Sequence, residues 1–265
     1  MVTLPRSIID TARKLADPLI GWLDSIGTTV QLTFETIYWA ARPPYRFSQL
    51  IAMMDFVGVQ SLFIIILTGT FTGMVLALQT VHSLRFFQAE TMVGGIVVVS
   101  LTREMSPVFT GLMVTARVGS AMAAELGNMR VTEQIDAITT MSVSPVQYLL
   151  APRMVASVLM VPLLSVVFTV VGTVGAYLVA VKLLNVDPGM FIEKIKQFTQ
   201  PADLWMGIIK CFVFGFLISA ISCRQGYFAS GGARGVGLAT TRAVVHSAVA
   251  LLIANYIITS LLTGM

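Results

Sequence analysis

The chain has 265 residues, of which 56% are hydrophobic and 11% charged, and its formal net charge is +4. A soluble domain carries about 25% charged residues, and a soluble fold of this length would leave too much of this apolar surface in water. The composition therefore predicts a membrane protein, and because the basic residues form no single basic face, it argues against a nucleic-acid partner.

Residues 1–50 contain no clean membrane span. Apolar side chains recur at helical spacing from Ile8 to Leu19, and Arg13 and Asp17 fall between them. This pattern is typical of amphipathic helices that lie flat in a membrane interface, and we expect such helices on the cytoplasmic side. A soluble pair of helices and a short additional span are the alternatives.

Five apolar runs follow this N-terminal segment. A helix needs about 20 predominantly apolar residues to cross the hydrocarbon of a bilayer. The runs that meet this requirement cover residues 56–84, 91–116, 154–181, 204–223 and 243–265. We therefore predict an all-α membrane protein with five transmembrane helices, in which residues 51–265 form one transmembrane domain.

The distribution of basic residues predicts the orientation of these spans. Most Lys and Arg outside the spans fall on the side of the N-terminus, including those in residues 117–153 and 224–242. Because short basic loops are retained on the cytoplasmic side, we expect a cytoplasmic N-terminus. An odd number of spans then places the C-terminus outside, together with the connection at residues 182–203.

Three ionisable residues lie within the predicted spans: Arg103 and Glu104 at the midpoint of the second, and Lys210 in the fourth. Each costs about 2.5–3.5 kcal/mol at the bilayer centre, and adjacent helical residues point about 100° apart. At least one therefore needs a partner on another helix or a wet cavity, and Lys210 is the candidate partner of Glu104. A chamber lined by all three would suit a lipid phosphate. A purely structural charge network and proton coupling through Glu104 are the alternatives.

Other positions in the spans give weaker signals. The candidates for lining an apolar path for acyl chains are Leu76, Leu84 and Phe87. The pairs Gly69 with Gly73 and Gly172 with Gly175 are expected to let helices approach closely. Asn255, in the fifth span, is expected to bridge helices.

The connection after the second span contains a patterned, charged segment at residues 125–138. Its apolar residues recur at helical spacing, Thr132 is a candidate N-cap, and acidic residues follow it. A short amphipathic helix between two spans has the shape that fits a partner's groove; a helix that rests on the bilayer is the alternative. The candidate partner-binding residues are Glu125, Arg130, Val131, Glu133, Ile135, Asp136 and Ile138.

We predict no cofactor and no metal site. The chain has two histidines, and neither lies near a cysteine. Cys211 and Cys223 would stand about 18 Å apart along one helix, too far for a disulfide. The glycine-rich run at residues 226–237 lacks the Lys-Ser/Thr of a phosphate-binding loop, so any ATP hydrolysis must come from another polypeptide.

Three blocks of sequence resemble a known family. ELGNMRVTEQIDAITTMSVSPVQYLLAPR, at residues 125–153, is similar to the signature of the MlaE/YrbE permeases. The blocks SLTREMSPV at residues 100–108 and LATTRAVVHS at residues 238–247 match as well. The blocks have the same order and spacing as in the family, and the resemblance covers nearly all of residues 50–265.

The resemblance implies a non-catalytic, homodimeric membrane subunit of an ABC transporter in the bacterial inner membrane. Such permeases pair with two ATPase subunits, carry a ring of MCE domains on their outer face, and often work with a STAS-domain protein that binds the ATPase. Their cargo is phospholipid, which is moved between inner and outer membranes to maintain the lipid asymmetry of the outer membrane.

The resemblance also implies roles for particular residues. The helix at residues 125–138 corresponds to the coupling helix that docks on the ATPase. Arg103, Glu104 and Lys210 match charged residues near the family's lipid cavity, and the N-terminal interfacial helices brace the membrane helices of the ring. Asn255 stands where an acid is expected, which leaves any role for a carboxylate there in doubt.

Two other functions remain open on the sequence. One is a secondary transporter driven by an ion through Glu104, and the other is a structural anchor of an envelope complex. Two features favour the ABC permease over the ion-driven transporter. One is the candidate docking helix, and the other is that the intramembrane acid Glu104 has basic residues near it.

Overall fold

The fold is that of a computed structural model, which describes residues 27–40, 42–43 and 46–263. The described residues are helical and contain no strand. The interfacial helices predicted for residues 1–50 lie partly outside the described part of the chain, which begins at residue 27. Helix α1 covers residues 27–40 and packs through Leu32 and Thr36, both buried, against the later helices.

The first crossing consists of two helices joined end to end. Helices α2 (Phe47–Val57) and α3 (Leu62–Arg85) are separated only by the 3₁₀ turn Val59–Ser61. Arg117, from the second crossing, fixes this joint by donating to the Phe56 carbonyl oxygen at 3.0 Å and to Ser61 Oγ at 2.8 Å.

The second crossing is a long helical rod with two wider, π-helical turns. Its parts are α4 (Val93–Ser100), the π turn Leu101–Met105, α5 (Ser106–Val114), the π turn Thr115–Gly119 and α6 (Ser120–Val131). The short helix α7 (Gln134–Thr140) follows and leads to the third crossing, which comprises the π turn Val146–Leu150, α8 (Ala151–Tyr177) and the π turn Leu178–Leu183.

The rest of the chain is three further helices. Helix α9 (Pro188–Phe198) precedes the fourth and fifth crossings, α10 (Pro201–Tyr227) and α11 (Gly232–Thr263). Asp187 caps α9 by accepting a hydrogen bond from the Met190 N–H at 2.7 Å. We had expected only an external loop here; instead, α9 lies across α4, where Gly94 and Gly95 leave room for Phe191 and Phe198.

Among the described residues, five helical segments are long and apolar enough to cross a membrane. They are Phe47–Arg85, Glu90–Val131, Val146–Leu183, Pro201–Tyr227 and Gly232–Leu262. The predicted all-α class and the number of spans are therefore confirmed. The helices extend beyond the predicted spans because hydropathy marks only the stretch that contacts lipid, whereas backbone hydrogen bonds carry a helix on into the polar region.

Helix α8 lies at the centre of the bundle and packs against α2, α3, α5 and α10. Its contact with α3 is backbone to backbone: a Cβ atom on Gly73 would collide with the Gly172 carbonyl oxygen, and one on Gly175 would lie 2.5 Å from the Thr70 carbonyl oxygen. The close packing predicted for these glycines is confirmed.

Candidate functional site

The π turn Leu101–Met105 positions the two charged residues of the second crossing. Such turns insert an extra residue into a helix and are frequent at functional sites. Here Arg103 and Glu104 each reach a partner on α10. The prediction that the two neighbours cannot satisfy each other, and that Lys210 pairs with Glu104, agrees with this geometry.

Lys210 is fully buried and makes two charge-assisted contacts with the second crossing. Its Nζ lies 2.7 Å from Glu104 Oε1 and donates to the Arg103 carbonyl oxygen at 2.9 Å. Pro107, four residues after Arg103, has no N–H to offer that carbonyl, and the ammonium group donates to it instead. The buried cation is therefore balanced by one carboxylate and one backbone oxygen.

Arg103 pairs with Asp203, which the sequence reasoning missed. Arg103 Nε donates to Asp203 Oδ1 at 2.6 Å, and the side chain of Asp203 is only 1% exposed. Asp203 was placed in the external connection, but it is the third residue of α10, where Oδ2 accepts the Gln200 N–H at 2.9 Å. The sequence did carry a signal, since Gln200 and Asp203 with Pro201 between them match the start of a helix.

Helix α11 completes the cluster from a third side. Asn255 Nδ2 donates to Glu104 Oε2 at 3.2 Å, and Thr259 Oγ1 donates to Glu104 Oε1 at the same distance. The expectation that Asn255 bridges helices agrees with this contact. The Oδ1 atom of Asn255 is buried and accepts no hydrogen bond within the described residues. We call these six residues, Arg103, Glu104, Asp203, Lys210, Asn255 and Thr259, the polar cluster.

The polar cluster lies away from the middle of the rod that carries Arg103 and Glu104. The second crossing runs for 42 residues, or about 63 Å at 1.5 Å per residue, twice the roughly 30 Å of hydrocarbon. The two residues lie about one third of the way along it, level with the first turns of α10 and the last turns of α11. The predicted position at the midpoint of the apolar run 91–116 stays a prediction, because the helix continues well beyond that run.

The cluster is buried on one side and open on the other. Lys210 and Asp203 are buried, whereas the side chains of Arg103 and Glu104 are 41% and 34% exposed. Guanidinium donors that face outward can bind a phosphate oxygen bidentately. A second, amine-bearing group could be held by Glu104 and its neighbours.

The three apolar candidates lie elsewhere. Leu76 and Leu84 are half-buried on α3, which packs on α8, and Phe87 follows α3 with 79% of its surface exposed. The polar cluster belongs instead to the second crossing, α10 and α11. The joint role of the two sets in a lipid path remains a prediction.

The predicted partner-binding segment differs in structure from the single helix expected. Helix α6 continues to Val131, Thr132 follows its last turn, and Glu133 adopts a left-handed conformation with φ of 59° before α7 begins. Thr132 therefore ends one helix instead of capping the next. The break occurs after the end of α6, and α7 folds back against α6.

Folding back buries most of the apolar stripe. Ile135 is 1% exposed and belongs to the core, Ile138 is half-buried, and Val131 is 37% exposed. The outward surface is polar: Glu133 is exposed, and Asp136 pairs with Arg130 at 2.6 Å. A partner would therefore meet charge at this surface and little of the predicted apolar stripe.

Glu125 has a different environment from the rest of this segment. Its Oε2 lies 2.9 Å from Arg153 Nη2, and the Arg153 side chain is only 3% exposed. Arg153 Nη1 also donates to the Leu149 carbonyl oxygen at 2.8 Å. The sequence reasoning had treated Arg153 as a loop cation; in the structure it ties α6 to the beginning of α8.

Comparisons with known proteins give a consistent result. A family model described as Permease MlaE matches residues 50–261. A probable ABC transporter permease protein of Rickettsia felis is 41% identical over 96% of this chain and 98% of its own. The intermembrane phospholipid transport system permease protein MlaE of Haemophilus influenzae is 35% identical over 97% of this chain and 99% of its own.

The similarity extends to a plant protein. The chloroplastic protein TRIGALACTOSYLDIACYLGLYCEROL 1 of Arabidopsis thaliana is 37% identical over 77% of this chain and 58% of its own length. The family match covers most of the chain and all five membrane-spanning segments apart from short ends. The chain is a multi-pass membrane protein and belongs to the MlaE permease family.

Proposed function

We propose that this chain is the transmembrane permease subunit of an ABC transporter that moves phospholipid between the inner and outer membranes and thereby maintains outer-membrane lipid asymmetry. The observation that carries the proposal is its 35% identity, over 97% of its length, to the Haemophilus influenzae permease of intermembrane phospholipid transport. The chain itself would hydrolyse no ATP, and a separate ATPase subunit would drive the cycle.

The polar cluster is the proposed head-group site. Arg103 would bind phosphate oxygens through its outward donors, while Asp203 holds the guanidinium from behind. Glu104, held in place by Lys210, would contribute negative electrostatic potential at the site. Asn255 Oδ1 would accept a hydrogen bond from a head-group amine or hydroxyl. Leu76, Leu84 and Phe87 would line the path of the acyl chains.

The ATPase would dock on the end of α6 and on α7. This surface presents the carboxylate of Glu133, the exposed Arg130–Asp136 pair and the apolar tip Met141, 72% exposed. Glu125 would act differently, since its pair with Arg153 can pass a movement of α6 to α8. Docking would thus be linked to the core of the bundle by Ile135 and Arg153.

The remaining features follow from the same proposal. Two copies of the chain would form the permease, with a ring of MCE domains on the outer face and a STAS-domain protein on the ATPase. The N-terminus would be cytoplasmic and the C-terminus periplasmic. The polar cluster, near the end of the bundle where α10 begins and α11 ends, would then lie on the side of the ring.

Lipid transfer by the reconstituted complex tests the head-group site. Arg103→Gln should lower ATP-dependent transfer of labelled phospholipid at least tenfold, because the phosphate would lose its bidentate donor. Arg85→Gln is the matched control, since Arg85 also pairs with a carboxylate, at 3.0 Å, but that carboxylate, Glu90, is exposed whereas Asp203 is buried. Normal transfer by an assembled Arg103→Gln complex would favour a structural anchor, and transfer driven by an ion gradient without ATP would favour a secondary transporter.

Charge reversal tests the docking surface. Glu133→Lys and Asp136→Lys should each reduce the stimulation of ATP hydrolysis by lipid, because the ATPase would meet a repulsive charge. Glu193→Lys, on the exposed face of α9, makes the same change away from α7 and should leave turnover unchanged. Full transport by both Glu133→Lys and Asp136→Lys would show that the docking assignment is wrong.

A further inference from the structure

A cavity of about 220 Å³ lies between the α1–α2 connection and the start of the third crossing. Its wall is mostly apolar, from Trp39, Phe47, Leu50, Ala151, Pro152 and Val155. Two arginines, Arg42 and Arg46, stand at its rim together with Gln49 and Gln147. None of these residues belongs to the polar cluster or to the proposed docking surface.

Each of the two arginines stacks on an aromatic ring. The Arg42 guanidinium stacks 4.2 Å from the Tyr38 ring centroid, and that of Arg46 stacks 4.4 Å from the Tyr148 ring centroid. Stacking orients a guanidinium while leaving its in-plane donors available. Within residues 27–40, 42–43 and 46–263, neither arginine pairs with a carboxylate.

Further groups at the cavity favour an anion with an apolar tail. Helix α2 begins at Phe47, so the positive end of its dipole faces this region. Gln49 Oε1 is buried, accepts no hydrogen bond from the part of the chain that the structure describes, and can accept one from a hydroxyl group. Outside the cavity, Phe47 and Ile51, one turn apart on α2, are each 65% exposed and offer an apolar strip.

The cavity lies beside the starts of two crossings. Successive crossings run in opposite directions, so the starts of the first and third crossings lie on the same side as α7. Arginine and aromatic side chains at the ends of spans typically mark the membrane interface. If this side is cytoplasmic, as proposed above, the adjacent leaflet is the one that carries anionic lipid.

We propose that this cavity binds the head group of one acidic phospholipid from the adjacent leaflet, with Arg42 and Arg46 on its phosphate and its acyl chains along Phe47 and Ile51. This lipid is a resident ligand that joins α1 and α2 to α8. It is separate from any lipid held at the polar cluster, and the proposal depends on neither the cargo nor the ATPase.

Quenching of Trp39 by brominated lipids tests the proposal. The full-length variant Trp22→Phe/Trp205→Phe retains Trp39 alone, because the chain has three tryptophans. In vesicles that contain either brominated phosphatidylglycerol or brominated phosphatidylcholine, Trp39 should show about tenfold preference for phosphatidylglycerol, since each basic group near the surface favours an acidic lipid. The matched variant Trp22→Phe/Trp39→Phe reports from Trp205, at the start of α10, and should show no such preference.

Two arginine variants assign the preference to the cavity. Arg42→Ala/Arg46→Ala should abolish it, whereas Arg234→Ala/Arg242→Ala, which removes two exposed arginines at the start of α11, should preserve it. Loss of preference in both variants would indicate a general surface potential and overturn the proposal. If an arginine variant does not fold, the question is still decided by comparing the two single-tryptophan variants, in which Arg42 and Arg46 are both present.

Two further results would count against a bound lipid. Displacement of phosphatidylglycerol by millimolar glycerol phosphate would identify a site for soluble phosphates. Equal and weak quenching of Trp39 by both lipids would indicate that a polypeptide covers the cavity. The transport function is tested separately, by lipid transfer in the reconstituted complex. A negative quenching result would therefore leave the proposed transport function intact, and a loss of the transport proposal would leave the bound lipid intact.

Discussion

At the scale of single residues, the polar cluster shows how charge is tolerated inside an apolar bundle. A buried ion is costly unless it is paired and its remaining hydrogen-bonding groups are satisfied. Lys210 and Asp203, the two most buried members, each have an ionic partner and an additional backbone contact. The more exposed members, Arg103 and Glu104, retain accessible polar atoms and are therefore the ones that can meet a substrate.

The Arg103–Asp203 pair leads to a prediction about stability. Asp203→Asn keeps an acceptor for the Gln200 N–H but removes the charge that balances Arg103. Breaking a fully buried pair costs about 3–5 kcal/mol; since Arg103 is partly exposed, we expect roughly 2 kcal/mol. The thermal unfolding midpoint in detergent should fall, whereas the exposed control Glu193→Gln should not change it. An unchanged midpoint for Asp203→Asn would mean that the pair contributes no stability.

The Glu104–Lys210 pair should show strong coupling. Lys210→Met leaves Glu104 without a cation, and Glu104→Gln leaves the fully buried Lys210 without an anion. The double variant removes both charges and should be more stable than the sum of the single effects predicts, by about 1–3 kcal/mol. Thermal unfolding of the four proteins gives this value, and additive effects would show that the two side chains do not interact.

At the scale of helices, the close approach of α3 and α8 depends on glycine residues, which have no side chain. Two backbones can pack at this distance only where both helices carry glycine, and the resulting contact is extensive. The same principle explains why α9 fits over α4 at Gly94 and Gly95. Small residues therefore determine which helices are neighbours, and so which helices the polar cluster joins.

A single methyl group should disturb the α3–α8 contact. Gly73→Ala places Cβ against the Gly172 carbonyl oxygen, a backbone atom that cannot move aside alone, and we expect a loss of about 1–3 kcal/mol. Gly237→Ala, in α11, has open space around it and should be neutral or slightly stabilising through its helix propensity. Thermal unfolding in detergent compares the two, and equal stability would argue that the helices separate at no cost.

The path of the chain through residues 125–138 is also decided at this scale. An uninterrupted helix through residues 125–138 would project from the bundle, but the left-handed turn at Glu133 returns α7 to it, and Ile135 then enters the core. A surface that is anchored in this way can transmit a push from a partner to the helices beneath it.

At the scale of the whole molecule, the orientation in the membrane can be measured directly. Both native cysteines are buried, Cys211 completely and Cys223 to all but 3%, so a membrane-impermeant maleimide should label only introduced cysteines. Met141→Cys, after α7, should react from the cytoplasmic side, and Glu193→Cys, on α9, from the external side. The parent protein is the control for background labelling.

The labelling pattern has clear alternatives. Reaction of both variants from one side would contradict an odd number of crossings between the two positions and thus the assignment of spans. Reaction from the two sides in the reverse order would keep the spans but place the N-terminus outside, against the distribution of basic residues.

The sequence by itself determined the features that depend on local composition. Lipid accepts only segments whose backbone hydrogen bonds are satisfied within the protein, and an apolar run of about 20 residues meets this requirement as a helix. The apolar runs were therefore sufficient to predict five spans and the all-α class. The glycine pairs predicted close packing, and the cost of a buried charge predicted that Glu104 needs a partner such as Lys210. In each case the physical requirement is visible within one short stretch of chain.

Only the tertiary structure decided the features that depend on distant residues. Asp203 stands 100 positions from Arg103, and Thr259 stands 155 from Glu104, so no local pattern could place them at one site. The break at Glu133 and the burial of Ile135 likewise depend on what the folded bundle offers α7. Long-range packing selects such partners because a buried polar group must find its complement wherever the chain brings one near.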